Sequence, residues 1–222
     1  MDIPSGLISS GWLGVSWVLY AVLTAVAVLR APWHKLLERD SANVYFGTIV
    51  VLMAFWHLKA GVAPGQAFHF LGASAAALMF GWEFAFLAVQ VLVLVTVWEG
   101  RSGWETFALN VLVMGAIPTL VTHNLRRFAQ RMLPHNLFIY IFLNCFFAAS
   151  LGVLIAGVSA YTLLATSGAY TIAELNQHYL PFLLLLALPE GTLNGIAMTV
   201  MIVFKPTWVA TFSDAMYLYK RD

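Results

Sequence analysis

The chain alternates long apolar runs with short polar or basic interruptions, and within each run the apolar positions are continuous. Continuous runs predict helices that cross a bilayer, each taking about 20 residues. Barrel strands would show short alternating segments instead. Charges and turn formers delimit seven runs: Ser10 to Leu29, Tyr45 to about Leu58, a short one from near His69 to Phe80, one from Gly81-Trp82 to near Trp98, Thr106 to about Val121, Leu137 to about Leu164, and about Tyr179 to Phe204. Runs three and four can also be drawn as one helix from Ala73 to Val97, but Glu83 and the Gly81-Trp82 pair argue for a break.

The basic residues orient this pattern. Arg30, Lys35 and Arg39 follow the first run, Arg126, Arg127 and Arg131 follow the fifth, and Lys205, Lys220 and Arg221 follow the seventh. Seven spans place these nine of the 11 Lys and Arg on one face and leave only Lys59 and Arg101 toward the other. By the positive-inside rule the crowded face is cytoplasmic. The N-terminus is then outside and the tail, residues 205–222, is cytoplasmic; six spans would put the C-terminal basic cluster on the wrong side. The first run is not a signal peptide, because its basic residues come after the apolar stretch rather than before it. Met1 is therefore expected outside and uncleaved, with a free α-amine.

Composition narrows the function. The chain is 61% hydrophobic and 9% charged, whereas soluble domains carry roughly 25% charged residues. An integral membrane protein with one all-α transmembrane domain over residues 1–222 follows, in a bacterial-type cytoplasmic (inner) membrane. There is no Gly-x-x-x-x-Gly-Lys-Ser/Thr for ATP hydrolysis, and no nucleophile elbow or His-Glu-x-x-His. No enzyme activity is expected. The net charge of +1 points to no partner, and none is expected among nucleic acids. The single cysteine, Cys145, excludes an internal disulfide and reads as a buried, inert thiol.

Candidate chemistry lies where polar groups interrupt the apolar body, since such groups at membrane depth are costly. They are His57, His69, Gln90, Asn110, Asn144, Glu190 and Asn194. His69 stands where the outer loop enters the third run, ahead of the small residues Gly72 to Ala77, which favour close helix packing. The N-terminal hexapeptide shares that outer face. The Met1 amine, an Asp2 oxygen and the His69 imidazole together suit a first-row metal ion, with proton competition at the amine near its reference pKa of about 7.7–8.0. The Asp2 amide nitrogen is a possible further ligand for nickel, copper or cobalt. A frayed tail beside a packed histidine fits the same spacing. His57 is either a further ligand facing the same cavity or a helix-interface histidine. Glu190 is either on a cation path or hydrogen-bonded across helices to Asn194 or Asn110.

Four stretches carry a family resemblance. Met1-Asp2-Ile3-Pro4-Ser5-Gly6 resembles the Met-His-Ile-Pro-Asp-Gly start of the CbiM/NikM proteins. Phe68-His69-Phe70-Leu71-Gly72-Ala73 is similar to their Gly-His-Leu-x-Gly-Ala motif. Asn110, Met114 and Gly115 resemble their Asn-x-x-x-Met-Gly stretch, and Glu190-Gly191-Thr192-Leu193 resembles their Glu-Gly-x-x-Thr segment. The resemblance runs from Met1 to about Pro206. It implies a substrate-capture component of an energy-coupling-factor transporter for cobalt or nickel. It further implies that residues 1–8 fold into the bundle from outside and that Met1, Asp2 and His69 bind the metal. Partners implied are a coupling transmembrane protein and ATPase subunits, docked on small-residue faces such as Gly72 to Ala77 and on the basic cytoplasmic loop.

The chain departs from the pattern at Asp2, where the family has histidine, and at Phe68, where it has glycine. A carboxylate is harder than an imidazole, so iron, manganese, zinc or copper stay open beside cobalt and nickel. The same departure keeps an alternative, a non-transporting metal-binding, sensing or assembly subunit of a larger membrane complex.

Overall fold

The computed structural model describes residues 2–61 and 63–218. Most of these are helical. Helix α1 spans Ser10–Arg30 and α2 Arg39–His57. Two two-residue strands, β1 Ala60–Gly61 and β2 Ala67–Phe68, pair antiparallel. Then come α3 Ala73–Phe80, α4 Trp82–Trp98, α5 Trp104–Met132 and α6 Leu137–Thr166. Helices α7 Ile172–His178, α8 Leu180–Phe204 and α9 Asp214–Tyr217 complete the order. Among the described residues, four stretches are long and apolar enough to cross a membrane: α1, α5, α6 and the continuous run Ile172–Phe204.

The break between the third and fourth runs falls at Gly81, whose φ of +91° suits a residue without a Cβ. Helices α3 and α4 pack against each other across that turn. The third run is helical over only eight residues, a rise of about 12 Å against a hydrocarbon core of about 30 Å. His69 was expected on a packed helix and instead lies four residues ahead of one. The reason is Gly72: its φ of +62° is left-handed, so the helix starts only at Ala73.

The small residues of α3 work inside the bundle. Ala73, Ser74, Ala76 and Ala77 are buried, and α3 touches α4, α5, α6 and α8. This corrects the expectation that Gly72 to Ala77 form a docking face, because side chains this small let four helices close around them. Outward faces carry Val15, Val18, Leu19 and Val22 on α1 and Leu184, Leu185 and Leu188 on α8. That is the surface hydrocarbon would meet.

Two helices are locally underwound. A π-helical stretch, Leu112–Ala116, lies in α5 just ahead of Pro118, and another, Tyr140–Phe147, lies in α6. Proline removes a backbone donor and crowds the preceding turn, and a π-bulge absorbs that conflict. Helix α5 runs on to Met132, so Arg126, Arg127 and Arg131 lie on its last turns rather than in a loop.

Candidate metal centre

The N-terminal segment enters the bundle. Ile3 is fully buried and Asp2 nearly so. Asn110 on α5 holds Ile3 from both sides: the Ile3 N–H donates to Asn110 Oδ1 at 2.9 Å, and Asn110 Nδ2 donates to the Ile3 carbonyl at 3.0 Å. The N–H and carbonyl of a buried residue both need partners, and a primary amide supplies one acceptor and one donor at this spacing. The Gly6 N–H donates to Glu105 Oε1 at 2.9 Å, pinning the outer end of the segment.

Asp2 thereby reaches His69, with Oδ1 3.3 Å from His69 Nε2. His69 is 2% exposed, and its ring packs on Trp56 at 4.6 Å between centroids. Nδ1 of His69 faces the Phe70 carbonyl at 3.2 Å. His69 lies in the non-helical stretch ahead of α3. Each ring nitrogen faces an acceptor: with the proton on Nε2 the ring donates to the Asp2 carboxylate, and with the proton on Nδ1 the Nε2 lone pair and the carboxylate are two donors for one cation.

The His69 turn is held from α8. Glu190, 3% exposed, accepts the Leu71 N–H at 2.9 Å and the Gly72 N–H at 2.8 Å. Both oxygens serve the N-terminal end of α3, where orphan amides favour an anion. This corrects the expected partners of Glu190, which were Asn194 and Asn110. Asn194 donates to the Cys145 carbonyl, and Asn110 holds Ile3. Glu190 and Asn194 also line a cavity of about 700 Å³ beside α2 and α8. From the Trp56 side, Nε1 donates to the Leu71 carbonyl at 3.1 Å.

The other predicted residues divide. His57 is at the rim, with Nδ1 2.7 Å from the Met53 carbonyl and Nε2 2.8 Å from Glu99 Oε1. Both ring nitrogens are thus engaged away from Asp2. Met1 lies outside the described residues, as do the last four residues of the tail. Among the described residues no three His, Cys, Asp or Glu side chains converge.

Sequence reasoning overlooked Lys59 at this centre. Its ammonium pairs with Asp2 Oδ2, with the lysine side chain 16% exposed. Burial first, and then Arg101, pull its pKa down to about 8. Its sequence context, one residue after an apolar run, read only as a topology mark. The signal that could have found it is its symmetric distance from His69 across the hairpin.

Comparison with known proteins agrees with this architecture. The CbiM profile, described as cobalt uptake substrate-specific transmembrane region, matches residues 2–208. A crystal structure of a truncated transition metal transporter superposes with a TM-score of 0.72 at 14% identity, covering 93% of this chain and 99% of that one. A crystal structure of a transition metal transporter gives 0.70 at 16% identity, covering 90% and 92%. No curated protein matches the chain by sequence.

Proposed function

This chain belongs to the CbiM family of cobalt-uptake transmembrane components, and we propose from that premise that it captures a divalent transition metal ion at Asp2 and His69. It is a transporter component and not an enzyme. The Met1 amine, together with an Asp2 backbone group, completes the ligand set beside the Asp2 carboxylate and His69 Nε2. His57 at the rim, with its ring nitrogens engaged by the Met53 carbonyl and Glu99, stays outside this ligand set. The substrate is cobalt or nickel first; the hard Asp2 oxygen leaves iron, zinc, manganese and copper as competitors. Seven membrane-crossing segments put the N-terminus outside and the C-terminal tail in the cytoplasm of a bacterial-type inner membrane. A coupling transmembrane protein and ATPase subunits of the energy-coupling-factor type drive uptake, since the chain has no ATP-binding loop of its own.

The observation that carries this reading is the buried approach of His69 Nε2 to Asp2 Oδ1 at 3.3 Å. The test is the metal content of the purified, C-terminally tagged protein, measured by elemental mass spectrometry beside an Asp2→Ala, His69→Ala double variant. Near-stoichiometric metal that is lost in the double variant supports capture. No metal in either protein, after loading with each first-row ion, rules it out.

A second reading is a membrane subunit that scaffolds or senses without transporting. The pairing of Asp2 with Lys59 favours it, because the carboxylate's charge is already matched within the chain. Unchanged metal accumulation by cells carrying the double variant would decide for it.

A further inference from the structure

We propose that Lys59 is a tethered cation that competes with the incoming metal ion for Asp2 and so sets the affinity and selectivity of the centre. The inference rests on the reading of Asp2 and His69 as the capture site. Its basis is the hairpin between α2 and α3. Ala60 pairs with Phe68 and Gly61 with Ala67. The same antiparallel register, continued one step, brings Lys59 opposite His69. The two residues flank the Asp2 carboxylate, Lys59 at Oδ2 and His69 at Oδ1. One limb of the hairpin thus presents the soft nitrogen donor, and the other presents a positive charge.

The consequence is electrostatic. Asp2 is 6% exposed and His69 2%, so little water screens the charges here and like charges repel strongly at this range. A divalent ion bridging Oδ1 and Nε2 meets the Lys59 ammonium on the other side of the same carboxylate. It must displace the ammonium or bind against it. Ions held by carboxylate charge alone, such as magnesium and calcium, lose most of their attraction to a carboxylate already paired. Ions that gain from imidazole and amine nitrogen keep theirs. Lys59 thereby acts as a specificity-determining residue.

The test is equilibrium dialysis of the full chain, C-terminally tagged, with Co²⁺, in the presence and absence of millimolar Mg²⁺. Wild type, Lys59→Met and Lys59→Arg are compared, with Lys59→Gln as a second neutral variant should the methionine protein fail to fold. The neutral variants should bind Co²⁺ about tenfold more tightly or better, a change of about 1.4 kcal/mol, and should become sensitive to Mg²⁺. Lys59→Arg should behave as wild type. Binding seen only in the neutral variants supports the proposal equally. Unchanged or weaker Co²⁺ binding in both neutral variants, where wild type binds, overturns the proposal and leaves the capture site standing. Absence of binding in every protein overturns both.

Discussion

Asn110 shows how much one side chain does at this centre. It makes two hydrogen bonds to the backbone of one buried residue, Ile3, and so fixes where Asp2 sits. Asn110→Ala would leave the Ile3 N–H and carbonyl buried without partners, at about 1–3 kcal/mol for each orphaned group. The expected result is a melting temperature lower than wild type and faster hydrogen exchange at residues 2–6. Metal affinity should fall about tenfold or more although no ligand has changed. Asn110→Asp, which keeps an acceptor and loses the donor, should fall between the two. Unaltered exchange at residues 2–6 in Asn110→Ala would show that the segment is held by something else.

At this scale the sequence was legible by chemical type and silent on pairing. Asp2 and His69 were recognisable as a pair because the charge pattern assigned both to one face and both sit in family-like stretches. Asn110 and Glu190 stood out as polar groups in apolar runs, but their partners are backbone groups of Ile3, Leu71 and Gly72. Backbone donors are identical at every position, so no residue pattern announces them. Lys59 was hidden for another reason: a lysine at the end of an apolar run ordinarily marks a membrane boundary.

Among the elements, the turn from β2 into α3 governs the geometry of His69. It is held by Glu190 from α8 and Trp56 from α2, and it turns at Gly72. A Cβ on Gly72 would collide with Leu52 of α2, and its left-handed φ penalises any side chain. Gly72→Ala should therefore destabilise the protein by about 1–3 kcal/mol, read as a lower melting temperature, with metal affinity reduced alongside. Glu190→Gln isolates the α8 contact. The amide can accept only one of the two N–H groups and presents its own donor to the other. It should weaken metal binding severalfold while the helical circular dichroism is unchanged. Full affinity in Glu190→Gln would mean that the turn is rigid without α8.

Element boundaries were only partly readable, and the errors share a cause. The apolar run ends where hydrocarbon ends, but the helix does not. Helix α5 continues to Met132, past the predicted end near Val121, because Arg126, Arg127 and Arg131 are good helix formers and need only reach water. Helix α2 starts at Arg39, ahead of the predicted Tyr45, with Asp40 in its first turn, where a carboxylate favours the helix N-terminus. The break at Gly81 was legible because glycine at a positive φ is a local necessity. The third run was read as short, but its helical start at Ala73 was not legible, since the Gly72 turn depends on a carboxylate more than a hundred residues away.

Across the whole molecule, the bundle buries Asp2, His69, Asn110 and Glu190 inside and presents large apolar side chains outside. The CbiM profile over residues 2–208 and the shared fold with two metal-transporter crystal structures fit that division. The orientation assigned from basic residues has a direct test. The native cysteine, Cys145, is fully buried, so the background for thiol labelling is low. A cysteine at exposed Gly100 should react with a membrane-impermeant reagent in intact cells or spheroplasts, and one at exposed His135 only after permeabilisation. The reverse pattern would invert the topology and move Asp2 and His69 to the cytoplasmic side.

The central claim is that the N-terminal segment itself, together with His69, forms the metal centre. It is tested most directly by adding two residues ahead of Met1 and measuring metal per chain by elemental mass spectrometry, beside the native start, with melting curves on the same samples. The account predicts near-stoichiometric metal with the native start and loss of that metal in the extended protein, with the fold intact. Full metal occupancy in the extended protein would contradict it.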